Sequence, residues 1–363
     1  MKKRLHYLDA LRGFAIIMML QGHFVYSMLD LSTIDENHMV YEFWRYCRGF
    51  TAPLFFTISG WVICFLMVRN PQQGLKNPRI KKGLKRFLEL LFWGYLVRLN
   101  LPTLFSGKIN SSFLKVDVLQ IIGCGLLFIV VIYCLFYFLK KNIRWVYLAI
   151  GVLIFITEPL YKEIEFKSLH IFFASYLTQA NSGVFYLFPW LGYVSIGAFF
   201  GCNPTTNIVL KDIKASLLVV LGLVLIYKSS HFFIWIDSLI ENRTVFYDIA
   251  YNNYLFMRLG DVFLLVGIFM LLDKFLRHKY WKFVGTKTLE LYVAHYFILF
   301  GSLTGIGLQK LYPKTLNSWE VILGSVLFIL SCVLTVYFLG KVKIVFPHKF
   351  RHLIAAWFSK NTK

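Results

Sequence analysis

The sequence predicts an all-α, polytopic integral membrane protein with about ten transmembrane helices and both termini cytoplasmic. Three observations predict it. Of the 363 residues, 58% are apolar and only 16% charged, against roughly 25% charged in soluble domains. Apolar stretches long enough to cross a ~30 Å hydrocarbon core recur from end to end. The basic residues behind the net charge of +21 fall in short blocks between those stretches, as cytoplasmic loops require. This composition excludes an ordinary soluble enzyme, a disordered chain, a collagen-like repeat and a disulfide scaffold. The dispersed basic blocks also exclude nucleic acid as a partner, since no basic arm or aromatic-studded basic sheet is present.

The first span, 10–29, follows Met1-Lys2-Lys3-Arg4. It is longer than a signal-peptide core and lacks a small-residue cleavage site, so it is expected to stay on the protein. Nine further spans are expected near 50–69, 84–100, 118–139, 145–160, 186–202, 215–235, 254–273, 284–302 and 319–340. With the N-terminus inside, about two thirds of the Lys and Arg fall on cytoplasmic segments. Asp30, Asp35, Glu36, Glu42, Glu163, Glu165, Asp237 and Glu241 all fall outside. The loops are short, so residues 1–340 form one transmembrane domain. The longest outer segment, 160–186, carries Phe172-Phe173-Ala174-Ser175-Tyr176-Leu177 and is expected to lie flat on the membrane or re-enter it. Residues 341–363 form a basic amphipathic cytoplasmic tail, with Lys343, Lys349 and Arg351 among Phe346, Phe350 and Trp357, suited to an interfacial helix. The expected location is the bacterial cytoplasmic membrane, with lipid as a general contact.

Polar and ionisable side chains inside a bilayer cost several kcal/mol and need a partner or a task. Arg12 and His23 on the first span are the sharpest case. Eleven residues at 100° each come to roughly 20° beyond three full turns, so both share one helix face with His23 about 16 Å deeper. Arg12 then stands at the cytoplasmic rim and His23 near mid-bilayer. Such a face fits a ligand entering from the cytoplasm, anionic part outermost and reactive end buried. The plain alternative is an orientation-setting Arg and a His bonded to a neighbouring backbone, which leaves the shared face unexplained.

Arg79, Lys81, Lys82, Lys85 and Arg86 enter the third span. Lys82, Lys85, Arg86 and Glu89 sit at i, i+3, i+4 and i+7, one stripe that could clamp a diphosphate, with Glu89 holding it in register. A topology signal touching lipid head groups is the competing reading. Ser59, Arg98, Arg258, Asp261, Glu290 and His295 are further embedded polar residues. Arg258 and Asp261, three apart, read as a structural ion pair. Glu290 and His295, five apart, lie on different faces, and His295 reads first as a packing or hydrogen-bonding group. Pro53, Gly60, Pro189, Gly192 and Gly197 mark bends or close helix contacts. The six cysteines show no metal or disulfide spacing and read as small apolar residues. No metal site and no permanently bound cofactor are expected.

The run Leu8-Asp9-Ala10-Leu11-Arg12-Gly13, with His23 eleven residues after Arg12, resembles the opening of the type-3 membrane acyltransferase superfamily. Thr51-Ala52-Pro53-Leu54-Phe55-Phe56-Thr57-Ile58-Ser59-Gly60 is similar to its second-helix motif, and the Ala-Pro start is closest to the heparan-α-glucosaminide N-acetyltransferase-like branch. Lys82-Gly83-Leu84-Lys85-Arg86, Val118-Leu119-Gln120-Ile121-Ile122-Gly123, Phe188-Pro189-Trp190-Leu191-Gly192 and Leu289-Glu290-Leu291-Tyr292-Val293-Ala294-His295 continue the likeness in order. The resemblance implies an acyl-CoA donor on the cytoplasmic side, an extracytoplasmic sugar or glycan acceptor, a first-span His acting as base or acyl relay, and an Arg for the donor. One departure matters. Heparan-type enzymes tend to carry Asn where this chain has His23, with their reactive His in the next outer loop, where this chain has His38.

The expected function is therefore transfer of an acetyl or short acyl group from acyl-CoA to a hydroxyl or amine of an extracytoplasmic glycan. His23 is the candidate catalyst, since a His titrates near neutrality and can take a proton or carry an acyl group. Arg12, Lys82, Lys85 and Arg86 are the candidates for the CoA phosphates. Ser59, Glu290, His295 and His38 are possible supporting residues. A reading from another class is a secondary transporter or flippase for a lipid-linked or anionic substrate, with Arg12, His23, Asp261 and Glu290 along its pathway. The paired broken helices common in transporters are not visible.

Overall fold

The computed structural model describes residues 5–109, 111–139, 142–179, 185–202, 208–240 and 244–341. The tail expected over 341–363 lies outside the described residues from position 342 onward. The described chain is helical, with two isolated bridges, Leu29 to Leu316 and Asn100 to Leu303, and no strand among the described residues.

The main helices are α1 (His6–Met28), α2 (Met39–Arg48), α3 (Thr51–Val68), α4 (Pro78–Leu96), α5 (Val118–Phe138), α6 (Ile143–Ile156), α7 (Leu187–Gly201), α8 (Ile208–Ser238), α9 (Tyr254–Leu271), α10 (Thr288–His295) and α11 (Ser318–Lys341). Their starts follow local chemistry. The Asn77 side chain accepts from the Arg79 amide ahead of Pro78, whose missing N–H costs nothing at the first helical position. Asp117 and Gln120 form a reciprocal capping box on α5. Asn142 caps α6, and His38 caps α2 by accepting from the Val40 amide.

Each expected span falls on helix, but the edges and lengths differ. Five helical segments are long and apolar enough to cross a membrane: His6–Met28, Met39–Val68, Val118–Phe138, Tyr254–Arg277 and Ser318–Lys341. Ile143–Ile156, Leu187–Gly201 and Thr288–Phe300 are shorter apolar helices. The expected span 284–302 is divided. A separate helix, Lys279–Thr286, ends before Lys287, and α10 then widens into a π turn over Tyr296–Phe300. Exposed apolar side chains crowd the outer faces of α8 and α11 (Leu217, Val220, Phe232, Leu323, Leu327), a surface suited to lipid rather than water.

α1 is the central helix. It contacts α3, α9, α10, α11 and the Lys279–Thr286 helix, and Leu11 and Leu20, about 180° apart around it, are both fully buried. α3 and α7 meet backbone to backbone. A Cβ on Gly60 would stand 1.9 Å from the Val194 carbonyl, and one on Gly197 1.9 Å from the Thr57 carbonyl, so only glycine permits this approach. The pair expected within α9 is present: Arg258 lies 2.9 Å from Asp261. Tyr46 of α2 donates to Asp261 at 2.7 Å and Arg258 donates to the Tyr46 carbonyl at 3.1 Å, which ties α2 down onto α9. The outer segment expected to lie flat on the membrane or re-enter it contains a short helix, Ile171–Leu177, packed over the end of α4. Ala174 and Ser175 are buried, Phe172 stacks on Tyr95, and the Tyr95 and Tyr176 hydroxyls are 2.6 Å apart.

Candidate active site

Helices α1, α3, α4, α5 and α10 enclose a cavity of about 400 Å³, within the usual range for small-molecule sites (roughly 300–1,000 Å³). Chain direction gives it two unlike ends. α1 starts, α3 ends and α4 starts at one end, where Arg12, Arg79, Lys82 and Arg86 line the wall. α3 and α5 start at the other, where His23, Thr51, Asp117 and Tyr292 line it. Between them the lining is apolar: Ile16, Met19, Phe55, Ile58, Ile63 and Leu90, with Ser59 the polar exception. Arg12 and His23 share the face expected of them, about 16 Å apart along α1. His23 stands nearer the C-terminal end of α1 than its middle, five residues or about 8 Å from Met28.

At the cationic end Arg12 donates to Thr288 Oγ1 at 3.1 Å, so α1 and α10 are joined there. Arg86 and Glu89, three residues apart on α4, pair at 2.9 Å. The basic stripe that lines the wall is Arg79, Lys82 and Arg86. Lys85 is exposed and outside the lining, because the cavity meets α4 along 79, 82, 83, 86 and 90. At 100° per residue, position 85 is turned about 115° from the centre of that face.

At the other end His23 Nδ1 lies 3.1 Å from His295 Nε2. His295 is fully buried, with Tyr292 and Tyr296 edge-on at 4.9 and 4.8 Å between ring centroids. The π turn begins immediately after His295; such widenings re-aim side chains and recur at functional sites. Asp117 collects the surrounding donors. Arg98 donates to it at 2.9 Å and Tyr292 at 3.1 Å, Tyr296 donates to it as well, and its other oxygen accepts from the Val118 amide at 2.7 Å. A buried carboxylate with this many donors is held ionised and fixed in place.

Other expected residues stand elsewhere. His38 is exposed, engaged in capping α2, and outside the lining. Glu290 pairs with Lys287 at 2.7 Å on an exposed face, and Asp261 is committed to Arg258 and Tyr46. Of the four residues expected along a transport pathway, Arg12 and His23 line the cavity while Asp261 and Glu290 do not. Sequence reasoning missed Asp117, Thr288, Tyr292 and Tyr296, and saw Arg98 without its partner. The signals were present: Asp117 three residues before Gln120 at the head of an apolar run is a capping box, and Tyr292, His295 and Tyr296 have the i, i+3, i+4 spacing of one helix face.

A family model described as heparan-alpha-glucosaminide N-acetyltransferase, catalytic, matches residues 4–236. No curated protein matches the chain.

Proposed function

The chain belongs to the heparan-alpha-glucosaminide N-acetyltransferase catalytic family, a family of membrane acetyltransferases, and on that footing we propose that it moves an acetyl or short acyl group from cytoplasmic acyl-CoA to a hydroxyl or amine of an extracytoplasmic glycan. One observation carries the reading. A single cavity has cations at one end, an apolar middle and His23 about 16 Å away at the other end. CoA has that polarity: a phosphorylated nucleotide, then a slender pantetheine arm, then the thioester.

In this reading Arg12, Arg79, Lys82 and Arg86 hold the phosphates by charge-assisted hydrogen bonds. Lys85, outside the wall, attracts the donor only at long range. The pantetheine arm extends past Ile58 and Ser59 and brings the thioester to His23. His23 Nε2 takes the proton of the acceptor hydroxyl or amine. The acceptor lone pair forms a bond to the thioester carbon, the tetrahedral intermediate collapses with loss of the C–S bond, and the CoA thiolate leaves with the proton that His23 held. The developing oxyanion needs a donor, and Tyr292 and Thr51 in the same wall could supply one only by giving up their hydrogen bonds to Asp117 and to the Arg48 carbonyl. Ten crossings with both termini inside, in a bacterial cytoplasmic membrane, set the donor on the cytoplasmic side.

The test uses the detergent-purified full chain with radiolabelled acetyl-CoA and a panel of hydroxyl- and amine-bearing glycans. Label should pass to a glycan with stoichiometric release of CoA. Acetyl-CoA that neither binds nor is consumed with any acceptor would overturn the reading.

A further inference from the structure

We infer that His295 is a positioning residue that fixes the proton on His23 Nδ1 and so leaves Nε2 bare toward the cavity; this rests on reading His23 as the base. His295 is fully buried and does not line the cavity, so it cannot reach a substrate itself. Its Nε2 lies 3.1 Å from His23 Nδ1, and two neutral imidazoles at that distance share one proton. Either His23 Nδ1–H donates to His295 Nε2, or the reverse.

The far edge of His295 decides between them. Its Nδ1 has no hydrogen-bond partner among the described residues, and the Leu291 and Tyr292 carbonyls, four and three residues back on its own helix, act on the ring. If His295 gave its Nε2 proton to His23, Nδ1 would be a bare lone pair set against two carbonyl oxygens, acceptor facing acceptor. If Nδ1 carries the proton, that edge is a donor beside acceptors, an attraction even with imperfect alignment. The second state makes His295 Nε2 the acceptor, puts a proton on His23 Nδ1, and leaves His23 Nε2 free to accept. No described residue hydrogen-bonds that nitrogen. The opposite state would present Nε2–H to the acceptor hydroxyl and could not deprotonate it.

The inference adds residues beyond the matched span 4–236 to the site. The pair also survives the reaction without gaining or losing atoms: when Nε2 takes the acceptor proton, Nδ1–H keeps donating to His295, and the proton returns with the thiolate.

The experiment compares the intact protein in detergent with His295→Phe, which fills the space without an acceptor, and His295→Gln, whose Oε1 replaces Nε2 as an acceptor. Histidine nitrogen NMR reads the tautomer directly. The intact protein should show His23 with Nδ1 protonated and Nε2 bare, and His295→Phe should lose that pattern. kcat should fall about 100-fold in His295→Phe while KM for acetyl-CoA stays within about twofold, and His295→Gln should recover at least about tenfold of the loss. A His23 protonated on Nε2 in the intact protein would overturn the inference whether or not the chain transfers acetyl groups. So would an unimpaired kcat in His295→Phe. A loss of transfer for every acceptor with the expected tautomer present would instead count against the acetyltransferase reading alone.

Discussion

Arg12 and His23 lie eleven residues apart on α1, line opposite ends of one cavity, and are each hydrogen-bonded to the same second helix, Arg12 to Thr288 and His23 to His295. α1 and α10 therefore run alongside each other as two rails of the site. In the proposed function, a ligand that spans the cavity is held at its charged end by Arg12 and meets His23 at the other end, both on α1 and each braced by α10. This division of labour separates variants that affect binding from variants that affect chemistry.

His23→Ala should lower kcat by roughly 10²–10⁴-fold, the range for loss of a general base, while acetyl-CoA binding by calorimetry stays near normal. The phosphates would sit about 16 Å away, so their contacts survive. His38→Ala should leave kcat within about twofold, because His38 caps an exposed helix outside the cavity. An inactive His38→Ala beside an active His23→Ala would move the base to the outer loop.

Arg12→Ala and Arg86→Ala should each raise KM for acetyl-CoA by about tenfold, near 1.4 kcal/mol, with kcat at saturation changed far less. Contacts to the phosphates are equal in ground and transition states, so they govern binding. Lys85→Ala should have little effect on KM, since its side chain is exposed beyond the lining. Equal KM increases in Lys85→Ala and Arg86→Ala would show that the stripe facing the donor includes position 85.

Much of this arrangement was legible beforehand because it depends on helical period alone. The shared face of Arg12 and His23 follows from 100° per residue, and the contact between α3 and α7 is written in Gly60 and Gly197. Long-range pairing was not legible. Nothing local says that His295 meets His23 across 272 residues, or that the carboxylate capping α5 would gather Arg98, Tyr292 and Tyr296. The stripe on α4 lines the cavity at Lys82 and Arg86 but not at Lys85, because periodicity fixes relative angles but not which angle faces the cavity. The division of span 284–302 escaped because the break at Lys287 takes up a single residue between two apolar stretches, and the π turn that follows leaves apolar content unchanged.

Arg98→Leu should destabilise the protein by about 3–5 kcal/mol, the cost of leaving a buried charge without its partner. Arg98 and Asp117 are 20% and 10% exposed at the side chain, so little solvent screens the loss. Denaturation in detergent should show it, and the pair Arg98→Leu with Asp117→Asn should recover part of the stability. A double variant no more stable than Arg98→Leu would show that Asp117 is held by its tyrosine donors rather than by the ion pair.

Gly197→Ala should cost at least about 1–3 kcal/mol by overpacking, because the new Cβ would collide with the Thr57 carbonyl at 1.9 Å. Gly340→Ala is the matched control, with nothing within 4 Å of its Cβ, and should be neutral or slightly stabilising through helix propensity. Ser59 lies two residues beyond Thr57 in the cavity wall, so Gly197→Ala should also weaken acetyl-CoA binding. Thermal midpoints and donor titrations on the two variants check both effects.

The last prediction concerns sidedness. The cationic end of the cavity is formed where α1 and α4 begin, and His23 stands about 8 Å from the end of α1 at the opposite side. A pantetheine arm laid along this face would carry the thioester most of the way across while the nucleotide stays at the cations. The acyl group would then cross without CoA crossing, and the acceptor would meet it from outside. Sealed vesicles oriented as in the cell should acetylate an external glycan only when acetyl-CoA is inside. Arg12→Ala vesicles should do so with a raised requirement for internal acetyl-CoA, and His23→Ala vesicles should not do so at any concentration. Equal activity with donor and acceptor both supplied at the cytoplasmic face would refute the crossing while leaving acetyl transfer itself intact, because the base and the phosphate contacts would still be needed on whichever side the acceptor arrives.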